Sequence, residues 1–318
     1  MTRNTFIRSV SVAEPREALR HTLATHGQSD AEIEQQVSAF LDHVRALKTD
    51  IPGQWLAVDG NRVIGACTCA IAPGRTAVLI LPSPRVMAVP DEVTARLVAA
   101  ATLHAQRREI RLLQSLVAPG DRRLVETLRR LGWTQVADLQ YMEASTDNAA
   151  DARSPPAPAA GEWRTYDEST HGDFARLIEA TYTSSMDCPA LAGMREIDDI
   201  IAGHRAAALF RPGGWRMLCE RDQPVGCILI GENPLQPAAE LIYMGVHPLR
   251  RGRGLGSVLL RDGFDAARRD GLTQISLAVD MKNAPALRLY ERFGFRPTMQ
   301  RVAMVRQLDG ASTVDAAR

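Results

Sequence analysis

The stretch ELIYMGVHPLRRGRGLGSVLLRDGFDAARR, residues Glu240–Arg269, is the most informative part of this sequence. Its first seven residues, Glu240–Val246, form a short apolar run typical of a strand. Its last part, Ser257–Arg269, has apolar residues at helical spacing. Between them, Arg251–Gly256 reads RGRGLG, with three glycines and two arginines. Strand, glycine-rich turn and helix in this order present backbone N–H groups and a positive helix end to a phosphate group.

The spacing of the glycines narrows the kind of phosphate site. It fits neither the Gly-x-Gly-x-x-Gly of dinucleotide-binding folds nor the Gly-x-x-x-x-Gly-Lys-Ser/Thr of nucleotide triphosphatases. Arg251-x-x-Gly254-x-Gly256 instead resembles the coenzyme A pyrophosphate loop of the GNAT superfamily of N-acetyltransferases. The segment Asn283–Phe295 resembles the second GNAT signature, N-x-x-A-x-x-x-Y-x-x-x-G-F. It follows Gln274–Val279, an apolar run typical of a buried parallel strand.

The resemblance implies that acetyl-CoA is the co-substrate and that its pantetheine arm lies beside the strand before the glycine turn. Asn283 has the position of a helix cap and belongs to the same expected cofactor site. The resemblance assigns cofactor binding to Met244, Gly245, Val246, Arg251, Gly252, Arg253, Gly254, Leu255, Gly256, Ser257 and Asn283.

Two residues are candidates for proton transfer. In the family, the tyrosine at the position of Tyr290 protonates the leaving thiolate, although a tyrosine on an amphipathic helix can equally be a core aromatic. Glu240 is the first candidate for the general base, and strand alternation puts it on one face with Ile242, Met244 and Val246. A solvated glutamate or a water chain is the alternative for this position. Three other carboxylates stay open as the base: Glu220, Glu232 and Asp187.

The acceptor pocket of this fold is formed largely by the segment between its first two helices. Here that segment begins near Tyr182, and Tyr182, Ser185 and Asp187 offer hydrogen bonds and one negative charge to an amine. An ordinary helix connection is the alternative reading of this segment. Cys188 is expected to be a packing thiol, because acetyl transfer in the family is direct and no histidine partner is evident.

Composition excludes several other classes of protein. A net charge of +1 and the absence of a basic stripe argue against nucleic-acid binding, and no apolar run reaches membrane-spanning length. Five cysteines, an odd number without metal-ligand spacing, are typical of a reducing cytoplasm and predict no metal site. With 318 residues, two domains are expected.

The two halves of the chain repeat each other. Aligning Gly294 with Gly132 sets the strand Gln274–Val279 against Leu112–Val117. The sequence therefore predicts an α/β protein made of two GNAT-like domains in tandem, each a mixed central sheet flanked by helices. The predicted divisions are residues 1–144, a Pro/Ala-rich linker at 145–162, the active domain at 163–310 and a tail at 311–318.

The first copy lacks the residues expected to carry the chemistry. Residues 90–95, Pro-Asp-Glu-Val-Thr-Ala, stand where the glycine turn would be, and their two carboxylates oppose an anionic ligand. Leu128 occupies the place of Tyr290 and cannot donate a proton. We interpret the first copy as a structural domain.

These features predict an acetyl-CoA-dependent N-acetyltransferase that acts on a primary amine of a small molecule or peptide, as a monomer or homodimer. The tandem plan is similar to that of the mycothiol synthase family, so acetylation of a cysteinyl-sugar amine is one alternative. A non-catalytic acyl-CoA sensor is another, although a sensor would need the phosphate loop and not Tyr290.

Overall fold

The computed structural model describes residues 5–11, 15–147 and 161–308. The chain forms two compact units. One unit comprises residues 1–136 and 301–318, and the other comprises residues 137–300. No helix in the described ranges combines the length and the apolar composition needed to cross a membrane.

The first unit has a six-stranded mixed sheet with the order β1-β2-β3-β4-β5-β12, in which β4 and β5 run parallel. Helix α3 and the apolar side of α4 cover a core centred on Leu97, Leu113 and Leu128. The elements up to α4 are β1 Thr5–Ser9, α1 Arg16–Leu23, α2 Asp30–Ala46, β2 Asp50–Asp59, β3 Arg62–Ala72, β4 Thr76–Ile80, α3 Asp91–Gln106, β5 Leu112–Val117 and α4 Arg122–Arg130.

The second unit has a six-stranded sheet with the order β6-β11-β10-β9-β8-β7, in which β10 and β11 run parallel. Helices α7 and α8 pack on one side of the sheet, and α5 and α6 pack on the other. The remaining elements are β6 Thr134–Ser145, β7 Gly161–Thr165, α5 His171–Tyr182, α6 Ile197–Ala206, β8 Leu209–Glu220, β9 Gln223–Glu232, β10 Ala238–Val246, α7 Leu255–Arg269, β11 Gln274–Asp280, α8 Ala284–Arg292 and β12 Arg296–Gln307.

The repeat predicted from the alignment of Gly294 with Gly132 is confirmed element by element. Shifted by the same interval, α4 coincides with α8 and β6 with β12 at both ends, and β5 coincides with the first six residues of β11. Two GNAT-like copies in tandem are therefore present in the fold.

The last strand of each copy lies in the sheet of the other unit. Strand β6, from the first copy, pairs antiparallel with β11 from Gln274 to Asp280. Strand β12, from the second copy, pairs antiparallel with β5 from Leu112 to Val117. The predicted domain boundaries keep β6 in the first domain and β12 in the second. Most of the predicted linker, residues 148–160, lies outside the described residues.

Most local predictions agree with the structure, and small differences lie at element ends. The helix predicted from Ser257 begins two residues earlier, at Leu255. Helical spacing in the sequence extends over Arg195–Leu209, whereas the helix in the structure runs from Ile197 to Ala206, because Leu209 already pairs in β8. At the start of α2, Ser29 forms the capping box with Glu32 that satisfies the first helical N–H groups.

Candidate active site

The site begins where β10 separates from β11. The two strands pair in parallel only over Ala238–Glu240 and Gln274–Ser276. On its other edge, β10 stays paired with β9 as far as Val246. The edge of β10 that faces β11 is therefore open from the bulge at Ile242 to Val246, and its peptide groups are available to an extended ligand.

A β-bulge at Ile242 accompanies this separation. Because of it, Ile242 and Tyr243 both pack on the α5/α6 side of the sheet, whereas Leu241 and Met244 pack on the α7/α8 side. The predicted face was therefore wrong: Glu240 shares a face with Ile242 but not with Met244 and Val246. A bulge inserts one extra residue and reverses the alternation beyond it.

The glycine turn ends in a helix start with uncapped amides. Gly252 and Gly254 have φ angles of +76° and +79°, which glycine adopts without steric cost. Gly254 is the N-cap of α7 and supplies no side chain to the first N–H groups. The Arg251 and Ser257 amides donate to Pro248 and Gly254 carbonyls, while those between them have no hydrogen-bond partner in the described part of the chain.

Gly256 has a different role from the two glycines before it. A Cβ atom at this position would lie 3.1 Å from Cδ2 of Leu289 on α8. The glycine therefore lets the first turn of α7 approach α8, the helix that carries Tyr290. This contact brings the glycine turn close to the predicted catalytic helix.

The side chain of Arg251 bonds the segment that follows α5, which is the predicted acceptor segment. Its guanidinium donates to the carbonyl oxygens of Thr181 at 2.6 Å, Thr183 at 2.9 Å, Ser184 at 3.0 Å and Val246 at 3.2 Å. Three of these carbonyls lie at the C-terminal end of α5, where a cation is favoured by the helix dipole. The resemblance assigned Arg251 to cofactor binding, and nothing in the sequence indicated these partners of its side chain.

Tyr290 is buried on α8, with 7% of its surface exposed. Its ring packs edge-on against Phe295, with 5.5 Å between ring centroids. Burial raises the pKa of the Tyr290 hydroxyl, and the negative charge of Asp187 adds to the rise. A phenol is protonated at neutral pH even at its ordinary pKa, so Tyr290 carries a proton that it can donate.

The acceptor segment is also held at its other end. The Asp280 amide at the end of β11 donates to Oδ1 of Asp187 at 3.0 Å, and the Cys188 amide donates to Oδ2 of Asp280 at 3.2 Å. Asn283 caps α8 by accepting from the Ala286 amide at 3.3 Å, and its side chain also bonds Asp187. These contacts hold Asp187 at the end of β11, near enough to Tyr290 for its charge to raise the pKa of the phenol.

The local environment affects the proton equilibrium of Asp187. Although the residue as a whole is exposed, desolvation of its carboxylate raises its pKa. The hydrogen bonds from Asp280 and Asn283 oppose that rise, and the charge of Asp280 adds to it. Burial likewise raises the pKa of the neighbouring Cys188 thiol, to about 12, so this thiol is protonated at neutral pH.

Of the other candidate bases, Glu240 has the environment closest to that of a catalytic carboxylate. It is half-buried, accepts a hydrogen bond from Nδ2 of Asn233 at 3.0 Å, and has its pKa raised by burial. Glu220 forms an ion pair with Arg250 at 3.3 Å. Glu232 forms one with Arg211. Both of the last two carboxylates are thus engaged at the surface.

A cavity of about 310 Å³ lies behind the acceptor segment. It is lined by all three predicted acceptor residues and by four polar residues that the sequence analysis did not single out. The signal for one of these, His204, was its place in the helical stripe with Ile197, Ile200 and Ile201. Tyr243 reaches the cavity only because of the bulge. The predicted residues are Tyr182, Ser185 and Asp187, and the missed ones are Glu179, Arg195, His204 and Tyr243.

In the first copy an internal ion pair occupies the place of the glycine turn. Helix α3 begins at Asp91, whose carboxylate accepts from Arg123 at 3.0 Å and Arg130 at 2.7 Å, both on α4. Leu128, at the place of Tyr290, is fully buried in the core. This copy therefore uses the two positions for its own stability.

Comparison with known proteins agrees with this geometry. Residues 178–295 match the model of the Acetyltransferase (GNAT) family. Over this stretch the chain is similar to the GNAT acetyltransferases. The match runs from α5 to the residue before β12, and it includes the open edge of β10, the glycine turn and Tyr290.

Curated relatives of the GNAT domain include several mycothiol acetyltransferases. The chain is 39% identical to that of Thermomonospora curvata over 104 residues, which cover 32% of this chain and 34% of the relative. It is 36% identical to that of Acidimicrobium ferrooxidans over 121 residues, 37% of this chain and 38% of the relative. The chain thus spans well under half the length of the curated relatives it matches.

Solved structures show the same fold over nearly the whole chain. A GCN5-related N-acetyltransferase from Sphaerobacter thermophilus aligns with a TM-score of 0.62 and 18% identity, covering 95% of each chain. A tandem GNAT protein from the clavulanic acid biosynthesis pathway aligns with a TM-score of 0.56 and 15% identity, covering 96% of this chain and 98% of that one. At these identities the likeness concerns the fold alone.

Proposed function

We propose that the chain is an acetyl-CoA-dependent N-acetyltransferase that moves an acetyl group directly to a primary amine. One arrangement carries this proposal. The open edge of β10 leads into a glycine turn with uncapped amides, and the buried phenol of Tyr290 lies at the same end of β11. Among the residues described, this is where a strand edge, an anion-binding helix start and a proton donor meet.

The residues present fit the two ends of acetyl-CoA. The peptide groups on the open edge of β10 near Met244 suit the amides of a pantetheine arm, which would add to the sheet edge. The Val246 carbonyl already accepts from Arg251. The free amides from Gly252 to Gly256 and the positive end of α7 suit a pyrophosphate, and the exposed Arg253 adds charge. Arg251 would support the turn through its backbone, since its side chain is engaged elsewhere.

The chemistry requires two proton movements. The nitrogen–carbon bond forms as the acceptor amine attacks the acetyl carbonyl, and the carbon–sulfur bond breaks. The amine gives up a proton to a base, and Tyr290 gives its hydroxyl proton to the departing sulfur. The phenolate is then reprotonated, so that the proton taken from the amine balances the one delivered to sulfur.

Glu240 and Asp187 remain the candidates for the base, and they can be separated by experiment. Both carboxylates have a raised pKa, which makes each a stronger base than an exposed carboxylate. Glu240→Gln and Asp187→Asn should be compared in kcat against pH. The variant that removes the acidic limb of the profile identifies the base, whereas two unchanged profiles would favour transfer through water.

Tyr290→Phe tests the proposed function most directly. We expect kcat to fall by about 10²–10⁴-fold, since a general acid contributes this much, while the Kd for acetyl-CoA stays near that of the parent. Product formation is followed by mass spectrometry, and acetyl-CoA binding by calorimetry. Unchanged turnover would remove Tyr290 as the acid. Intact binding without product from any acceptor would favour the sensor alternative.

The curated relatives favour one specific second candidate. Because several curated relatives are mycothiol acetyltransferases, a cysteinyl-sugar amine belongs in the acceptor panel. The panel otherwise covers small amines, amino acids and peptide N-termini.

The five cysteines are all unpaired, which supports our expectation that the protein works in the cytoplasm.

A further inference from the structure

The cavity behind the acceptor segment differs in charge between its ends. One end is formed by Asp187, which is bonded to the Asp280 amide and lies beside Tyr290. The other end is formed by Arg195 and His204. An Nη2 atom of Arg195 lies 2.8 Å from where a Cβ of Gly203, the residue before His204, would be. Tyr182 also lines the cavity, and the charges of both Arg195 and Asp187 act on its hydroxyl.

His204 provides an unused polar atom at the basic end. Its ring stacks on Tyr243 with 5.2 Å between centroids and an interplanar angle of 28°. Its Nε2 atom is buried and has no hydrogen-bond partner within the described structure. Buried polar atoms are nearly always paired, so an unpaired one on a residue that lines a cavity points to a missing ligand atom. In the tautomer protonated at Nε2, this atom is a donor beside a guanidinium, a pair suited to a carboxylate.

The walls between the two ends are mainly apolar. Leu191, Ile197 and Ile200 line the cavity together with the rings of Tyr182 and Tyr243. Glu179 adds a second carboxylate to the lining, which favours the cationic part of a ligand. The volume of about 310 Å³ lies at the small end of the range for small-molecule sites.

We propose that the acceptor is an amine that also bears a carboxylate on an apolar body. Its amine would lie at Asp187 beside Tyr290, and its carboxylate would be bound by Arg195 and Nε2 of His204. Apolar α-amino acids and short peptides share this chemistry and differ in the spacing of the two groups. The inference rests on the proposed function, since it names the substrate class of the same site.

The test compares matched acceptors that differ only in the carboxylate. Leucine, methionine, phenylalanine and their dipeptides are each set beside the corresponding carboxamide and the simple amine. Initial rates are measured with acetyl-CoA, and binding of the same compounds to the full chain is measured by calorimetry without acetyl-CoA. We expect acids to exceed amides by about tenfold or more in kcat/KM, the effect of one charge-assisted hydrogen bond. A preference for dipeptides over free amino acids would indicate the longer spacing.

Three variants assign the preference to the basic end. His204→Phe keeps the ring stacked on Tyr243 and removes Nε2, so the acid-to-amide ratio should fall toward one. Arg195→Gln should do the same, although its bond to the Asp199 carbonyl makes a thermal-unfolding check necessary. Arg205→Gln removes a positive charge from α6, the helix of His204, at a position outside the cavity lining. This variant should keep the acid-to-amide ratio unchanged.

Failure of this inference is distinguishable from failure of the proposed function. Acetylated amines with equal rates for acids and amides would overturn the inference and leave the acetyltransferase in place. Carboxylate-dependent binding without any acetylated product would support the inference and count against the activity. An absence of both product and binding for every acid would overturn the inference.

Discussion

Burial shifts the pKa values of Tyr290 and His204 in opposite directions. Burial raises the pKa of the Tyr290 hydroxyl, so the phenol stays protonated well above neutral pH. Burial lowers the pKa of His204 to about 4, with a smaller contribution from the charge of Arg195. His204 is therefore a neutral hydrogen-bonding group at physiological pH and not a cation.

The lowered pKa of His204 predicts a pH dependence of stability. An unfolded histidine takes up a proton near pH 6.5, whereas folded His204 resists protonation down to about pH 4. The unfolded state therefore binds more protons between these values, and stability falls as the pH is lowered through this window. We expect the free energy of unfolding of His204→Phe to decline less than that of the parent between pH 6.5 and 4. Parallel curves from urea titrations would contradict this assignment.

At the scale of elements, the segment after α5 that would form the acceptor pocket is bonded to the ends of both β10 and β11. Arg251, after β10, bonds the carbonyls at the end of α5, and Asp280, at the end of β11, bonds Asp187 and Cys188. The bulge in β10 opens the strand edge and turns Tyr243 toward α5, where its hydroxyl bonds the Thr181 hydroxyl. The same elements that would bind the co-substrate thus shape the acceptor cavity.

Substitution of the two arginines of the glycine turn, Arg251 and Arg253, should affect different quantities, the acceptor KM and the Kd for acetyl-CoA. Arg251→Ala removes the bonds to α5 and should raise the acceptor KM by about tenfold or more, since several hydrogen bonds are lost together. The Kd for acetyl-CoA should change much less. Arg253→Ala removes the same charge from an exposed position without these partners and should show the reverse pattern. A larger effect of Arg251→Ala on acetyl-CoA binding than on acceptor KM would restore the phosphate-binding role of this guanidinium.

The glycine turn itself should be intolerant of branched side chains. Gly254 has a φ of +79°, a conformation that β-branched residues rarely adopt. We expect Gly254→Val to weaken acetyl-CoA binding strongly, measured by calorimetry, because the first amides of α7 lose their orientation. Gly263→Ala, on the same helix, is not a suitable control, since its Cβ would lie 2.6 Å from Ile228. Asp265→Ala, at a half-exposed position, provides the matched control.

For the whole molecule, the exchanged strands make the two copies mutually dependent. Without β6, the edge of β11 from Gln274 to Asp280 would be unpaired, and without β12 the edge of β5 would be. Unpaired strand edges favour aggregation. A truncated second copy is therefore expected to be unstable, even though it holds the whole candidate site.

A cut in the connecting segment tests this dependence. A protease site placed within residues 148–160 should yield two fragments that remain together in native buffer, because each carries a strand of the other's sheet. Size-exclusion chromatography after cleavage measures the association, and urea should separate the fragments. Residues 161–318 expressed alone should aggregate or unfold at lower temperature. Fragments that separate freely without denaturant would rule out the exchange.

The sequence alone determined the elements, the repeat and the core of the candidate site. Helix caps such as Ser29 and Asn283, turn glycines and apolar periodicity depend on neighbours within a few residues, so they can be read locally. The aligned copies show this most clearly, since α4 and α8 coincide at both ends. The resemblance of Arg251–Gly256 and Asn283–Phe295 to family motifs then placed Tyr290 near the glycine turn.

Only the tertiary structure decided the strand exchange, the bulge, the partners of Arg251 and the acceptor cavity. Each depends on which of several compatible groups meet in space. Strand β6 could pair within its own copy or with β11, and its alternation is the same in both cases. The Arg251 guanidinium could bind a phosphate or the carbonyls of α5, some seventy residues away. Such choices depend on the packing of distant segments, whose relative positions short-range patterns in the sequence do not specify.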